Sequence, residues 1–175
     1  VKHSPKEFSV KHETDKAIEY LRNRNGERKA DAPFFLVVGY NPPHSPYSGP
    51  EDCMAEDYEI YKDMSYKELY LRPNADTTLV KAPSARYYFA NVTAVDREFG
   101  RILNELKALG LDKNTIVVFT SDPGETMCSQ GTLDPKNSIY TESFNVPMII
   151  RYPGKIRPHV DTTLFSSVDI MPTLL

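Results

Sequence analysis

A chain of 175 residues, 40% hydrophobic and 26% charged, has the composition of a folded unit with a core rather than of a disordered tail. A formal charge of -3, with the 21 Lys and Arg spread along the chain, argues against a nucleic-acid partner. No apolar run reaches the length of a membrane span, and Cys53 and Cys128 read as two ordinary thiols, too few for a disulfide framework.

The opening dozen residues, VKHSPKEFSVKH, carry no period and read as a connecting segment or strand edge. Thr14 or Asp15 then caps a predicted helix through Ala17, Ile18 and Leu21 that ends near Asn25-Gly26. Residues 33–40, PFFLVVGY, are a continuous apolar run between turn signals, the pattern of a buried parallel strand. The prolines of NPPHSP end it, because proline cannot join a central ladder. From Tyr47 to Pro83 the chain is rich in Tyr, Asp, Glu and Pro, a long surface excursion with one short helix around Ala55 to Tyr61.

Ser84 caps the clearest predicted helix, Ala85 to Leu109, in which Tyr88, Val92, Val95, Phe99, Ile102, Leu103 and Leu106 recur at helical spacing and Gly110 is the stop. Asn91-Val92-Thr93 is a formal glycosylation sequon, but it falls inside that helix. Thr115 to Thr120 is the next strand, so strand, crossover, helix and strand form a βαβ unit with parallel strands. Val146 to Arg151 is a third strand with Pro147 at its start or on an edge, and Thr162 to Phe165 is expected to add a short fourth. Asp169 begins a helical signal, IMPTLL, that runs to the last residue. The expected fold is α/β, a mainly parallel sheet flanked by helices, as a single unit over residues 1–175 that is truncated at both ends.

The run TIVVFTSDPGETMCSQG, Thr115 to Gly131, carries the most chemistry. Asp122 follows the carboxyl end of an apolar strand, where open α/β sheets place ligand and metal groups. His44 follows the end of the strand at 33–40, and Lys136 lies in the loop after Asp122. Parallel strands share one carboxyl edge, so the three are expected to converge on one anionic ligand or metal. Asp122 would give oxygen to a hard divalent cation, while His44 and Lys136 would donate to a sulfate or phosphate. The residues alone leave plainer readings open. His44 also suits an exposed turn, Lys136 a solvated loop, and Asp122-Pro123-Gly124-Glu125 the capping box of a helix that starts at Pro123.

In order along the chain, ETDKAIEYL, PFFLVVGYNPPHSPY, YYFANVTAVDREFGRIL, NTIVVFTSDPGE, SQG, DPKNSIYTESFNVPMIIRYPGKI and SSVDIMPTLL resemble successive segments of the sulfatases, in the alkaline phosphatase superfamily. The resemblance runs from Thr14 to Leu175 and covers the middle of such a domain, without its N- and C-terminal parts. It implies a sulfuric ester hydrolase acting on a sulfated small molecule or glycan, in a family whose members are commonly exported. It implies that Asp122 is a ligand of the active-site divalent metal, commonly calcium. It also implies that His44, in the N-A-P-H-x-P pattern, and Lys136, ahead of the Y-x-E-S segment, contact the sulfate group.

The family's nucleophile is a formylglycine made from Cys or Ser in a C/S-x-P-x-R motif, and no such motif occurs in this sequence. These residues alone are therefore expected not to turn over substrate. The family's early pair of metal-binding Asp residues is absent too, Pro123 stands where the family has His or Asn, and Gln130 stands where many relatives have His. Those departures leave two alternatives, a non-catalytic sulfatase-like binding protein and a related phosphatase or phosphodiesterase, for which a zinc pair would suit His-rich ligands. Pro123 is expected to leave Asp122 at the cap of a short helix, with one ligand deleted.

Overall fold

Val10, Thr14, Ala17, Ile18 and Leu21 recur every three or four residues and are all buried, on one face of helix α1, Ser9–Arg22. The computed structural model describes residues 7–132, 134 and 136–175, so residues 1–6 of the opening segment lie outside the described residues. Residues 9–12, expected to be a connecting segment, are helical because Val10 joins the buried face. Neither Thr14 nor Asp15 caps the helix. Phe8 holds that position without a side-chain bond, and the Thr14 hydroxyl instead shares a 2.7 Å hydrogen bond with the Tyr40 hydroxyl. The helix also ends before Asn25-Gly26. Asn23 turns left-handed at φ 54°, and the N–H groups of Asn23 and Arg24 reach back to the carbonyls of Tyr20 and Glu19.

Within the excursion, α2 (Ala55–Tyr61) forms where expected, followed by α3 (Tyr66–Leu69). Helix α4, Ala85–Ala108, grows out of a tight turn at Ala82–Ser84, and Ser84 makes no side-chain cap. Its end matches the expected stop: Gly110 adopts φ 68°, and Leu111 N–H donates to the Leu106 carbonyl. The deepest face of α4 shares only Ile102 and Leu106 with the large apolar stripe read from sequence. Ala85, Ala90, Asn91, Ala94, Glu98, Ile102 and Leu106 are buried, while Val92 is 41% exposed. Small side chains let α1 and α2 both pack along α4. Charged groups tie the layer together, with buried Asp57 of α2 on Arg97 and Asp15 of α1 at 2.6 Å from Arg101.

The sheet side is sparse. Strands β1 (Val117–Thr120) and β2 (Met148–Arg151) pair antiparallel, Val117 opposite Arg151 and Thr120 opposite Met148, with α5 (Thr141–Phe144) in the connection. No parallel ladder occurs among the described residues. Residues 33–40 are extended but unpaired. Phe34, Leu36, Val38 and Tyr40 pack on the core of Ala17, Leu21, Ile102 and Leu106, which Val117 of β1 also covers, while Phe35 and Val37 point outward, 84% and 73% exposed. This alternation is that of a strand, and it lacks a ladder because no described segment hydrogen-bonds to its backbone. Residues 162–165 form no strand either, because the Asp161 carboxylate accepts the Thr163 N–H at 2.8 Å and turns the chain. The IMPTLL signal is met by α6, Ile170–Leu174.

Asn91 of the sequon is buried in α4 and donates to the Asp52 carbonyl at 3.1 Å, which closes that position in the folded chain. Cys53 and Cys128 are both buried and free. Among the described residues no helix is long and apolar enough to cross a membrane.

Candidate active site

The segment after residue 40 turns sharply, with the His44 N–H donating to the Asn41 carbonyl at 2.9 Å. His44 is exposed, and its Nδ1 lies 2.9 Å from the Ser45 carbonyl, which can only accept. The proton is therefore assigned to Nδ1, and Nε2 is the nitrogen left for a ligand. Three residues on, Tyr47 is buried with its ring edge-on to Tyr88, centroids 5.5 Å apart. The Tyr47 hydroxyl donates to Glu125 Oε2 at 2.9 Å, and the Met127 N–H donates to Glu125 Oε1 at 3.3 Å. Glu125 thus links the turn after residues 33–40 to the loop after β1. Burial, helped by the bond to Glu125, holds the Tyr47 phenol well above its ordinary value, and burial pushes Tyr88 up to about 12.

Lys136 is half-buried, and its backbone N–H donates to Asp134 Oδ1 at 3.1 Å, as the Asn137 N–H does at 2.9 Å. Those backbone bonds, first that of Asn137, hold the Asp134 carboxyl below its ordinary value, and the charge of Lys81 adds to the effect. His44 and Lys136 line one cleft of about 320 Å³, together with Tyr47, Glu125 and Lys81. Asp122 does not line it. This residue is exposed just past the end of β1, and its carbonyl accepts the Ser121 hydroxyl at 2.7 Å.

No helix starts at Pro123. The capping pattern is overruled because Gly124 N–H donates to the Ser143 carbonyl at 2.7 Å and Glu125 is drawn to Tyr47, so the segment crosses α5 instead of coiling. Gly124 is required by that close approach: a Cβ there would lie 2.2 Å from the Glu142 carbonyl oxygen. Beyond it, Met127, Cys128 and Gln130 adopt positive φ of 40°, 65° and 63°. The excursion clamps this loop. The Asp76 N–H donates to the Cys128 carbonyl at 2.8 Å, Gln130 N–H donates to the Asn74 carbonyl at 3.0 Å, and Asn74 Nδ2 reaches Glu142 at 2.8 Å. Sequence reasoning missed Tyr47 and Lys81 as lining residues, since each belongs to an excursion without a motif.

Among the described residues no three His, Cys, Asp or Glu side chains gather as a metal site. With Asp122 exposed and Pro123 offering no donor, these residues do not by themselves fit a calcium site.

The sequence profile of the sulfatases matches residues 3–175. The chain belongs to the sulfatase family. It is 57% identical to an endo-4-O-sulfatase of Bacteroides thetaiotaomicron over 99% of its length and 34% of that relative. It is 36% identical to an ulvan-active sulfatase of Formosa agariphila over 85% of its length and 29% of that protein. A solved Bacteroides thetaiotaomicron structure, reported for the metabolism of multiple glycosaminoglycans, superposes with a TM-score of 0.96 at 57% identity, over 98% of this chain and 35% of that one. That likeness gives the sulfatase chain an alkaline-phosphatase-like α/β fold. The chain spans about a third of the length of the curated relatives it matches.

Proposed function

We propose that the full-length protein hydrolyses the sulfate ester of a sulfated glycan, and that this chain forms the wall that binds the sulfate. The observation that carries the reading is the meeting of His44 and Lys136 in one cleft of a sulfatase-family chain. The relatives named for ulvan and for glycosaminoglycan metabolism support a glycan as the substrate class. Sulfuryl transfer moves negative charge towards the leaving oxygen, and donors already in place stabilise that charge without reorganising. Lys136 supplies a fixed positive charge, and the His44 ring, oriented by the bond from Nδ1 to Ser45, donates to a sulfate oxygen from Nε2 in its doubly protonated, cationic form. The nucleophile comes from a segment outside these residues, which contain no C/S-x-P-x-R motif. Asp122 gives one carboxylate to a divalent-cation site, calcium in the family's usual form, whose remaining donors also lie outside this chain. Residues 33–40 and β1 are strands of a larger, mainly parallel sheet; the alternating burial of 33–40 over the same helices as β1 supports this.

The test is sulfate release by the full-length protein from sulfated glycosaminoglycan and ulvan oligosaccharides. Lys136→Ala and His44→Ala are each expected to lower kcat/KM by about 10²- to 10³-fold, the usual cost of removing one charge-stabilising donor, at an unchanged melting temperature. A wild-type protein that releases no sulfate, or variants with full activity, would overturn the reading.

A further inference from the structure

We infer that the adjacent residues Glu125 and Thr126 are positioning residues for the cleavage of the sulfate ester, Glu125 holding His44 in place and Thr126 holding Lys136. The inference rests on the sulfatase reading above and deepens it, naming what keeps the two donors on one sulfate group.

His44 and Lys136 come from different loops and line one cleft. Each loop is tied to the segment after β1. On one side buried Tyr47, three residues past His44, donates its hydroxyl to Glu125 Oε2 at 2.9 Å. On the other side the buried Thr126 hydroxyl donates to the Asp134 carbonyl at 3.1 Å, and Asp134 Oδ1 accepts the Lys136 N–H at 3.1 Å. Consecutive residues thus reach in two directions, Glu125 to the turn of His44 and Thr126 to the turn of Lys136. Consecutive Cα atoms lie about 3.8 Å apart across a planar peptide, so the two arms leave a short and stiff junction.

The junction is itself anchored. Gly124 N–H donates to the Ser143 carbonyl at 2.7 Å, and the Thr126 carbonyl accepts the Ser129 N–H at 2.9 Å. The Tyr47 ring lies edge-on to Tyr88 of α4, so the helical layer backs the His44 arm. Glu125 lines the cleft, yet a carboxylate on the wall of an anion site opposes the charge of the ligand. Its two oxygens accept from the Tyr47 hydroxyl and the Met127 N–H, which suits a strut and not a sulfate ligand. Stabilisation by donors already in place depends on where they stand, and a displacement of about 1 Å can cost about 10²-fold in rate. Loss of either arm lets one donor drift while its own side chain stays intact.

The experiment places Tyr47→Phe and Thr126→Val in the full-length wild type, in His44→Ala and in Lys136→Ala. Sulfate release from a sulfated glycosaminoglycan oligosaccharide is measured, with the melting temperature alongside. In the wild type each variant is expected to lose about 10- to 100-fold in kcat/KM, mainly through kcat. Thr126→Ser keeps the hydroxyl and is expected to stay within about 3-fold of wild type. On His44→Ala, Tyr47→Phe should cost less than about 2-fold more, while on Lys136→Ala it should keep its full effect. Thr126→Val should show the reverse. Residues that merely stabilise the fold would act equally in both backgrounds. Glu125→Ala and Thr126→Ala remove the same two links and replace a first variant that does not fold. The crossed pattern supports the inference. Equal losses in both backgrounds, coupling on one side only, or no loss at all overturn it while leaving the sulfatase reading intact. A wild type that releases no sulfate overturns that reading, and the role of Glu125 and Thr126 with it.

Discussion

In the helical layer, Leu21, Ile102 and Leu106 lie buried against one another, and burial of each such side chain stabilises by about 1.5–3 kcal/mol. In the loops around the cleft, position is set by single polar links, Gly124 to Ser143, Glu125 to Tyr47, Asp76 to Cys128 and Gln130 to Asn74. Each link is worth about 0.5–1.5 kcal/mol net. Three non-glycine residues there hold positive φ, at about 1–3 kcal/mol apiece. The layer carries the stability, and the loops carry a geometry that few bonds defend. Substitutions should therefore separate the two.

The largest expected effect lies in the layer. Asp57 is 2% exposed and pairs with Arg97. Arg97 is 35% exposed and keeps Glu56 and Glu98 as partners, so removing Asp57 costs about 1.5–3 kcal/mol, the worth of a bond to a charged group. Asp57→Ala should lower urea stability by that amount, and a loss below about 1 kcal/mol would show that the layer does not depend on the buried Asp57 carboxylate. Next comes Gly124→Ala in the loops, where the new Cβ meets the Glu142 carbonyl oxygen at 2.2 Å. Forcing that space costs about 1–3 kcal/mol, but the displaced loop carries Glu125, so activity should fall more steeply than stability. Melting temperature and kcat/KM measured together check this, and normal activity would break the comparison.

The smallest effect is expected from Glu105→Gln at the layer's surface, where Glu105 accepts two bonds from Arg22 at 2.6 and 2.7 Å. The Arg22 bonds hold the Glu105 carboxyl below its ordinary value. The contribution is therefore complete above an unfolded carboxylate pKa of about 4.3 and is lost as pH falls through the lowered folded value. Arg22 is solvent-screened, so wild type and variant should differ slightly in melting temperature at pH 7 and converge in acid, with activity unchanged. A difference that widens in acid would reverse the sign.

The same divide governs what could be read from the sequence. Helix α4, α2, β1 and α6 were legible because local pattern and tertiary packing agree there. The start of α1 was not, because Thr14 looks like a cap and is spent on Tyr40 instead. Asp-Pro-Gly-Glu reads as a helix start, yet bonds to Ser143 and Tyr47, both distant in sequence, pull it straight. The left-handed turns at Met127, Cys128 and Gln130 leave no signal, since none of them is glycine. In the site, the expected convergence on one sheet edge is met only by His44 and Lys136, without Asp122 and without a parallel ladder among the described residues, whereas Lys81 and Tyr47 arrive through an excursion whose path only its folded contacts define.

Residues 33–40 have a consequence for anyone handling these 175 residues by themselves. An extended segment with Phe35 and Val37 outward and no backbone partner among the described residues is a template for edge-to-edge pairing. In a concentrated solution of this piece, the nearest strand is the same segment of another copy. Self-association should therefore rise with protein concentration and light scattering should climb well before the helices melt. The colloidal behaviour of such a sample reports on that one segment rather than on the stability of the layer beneath it.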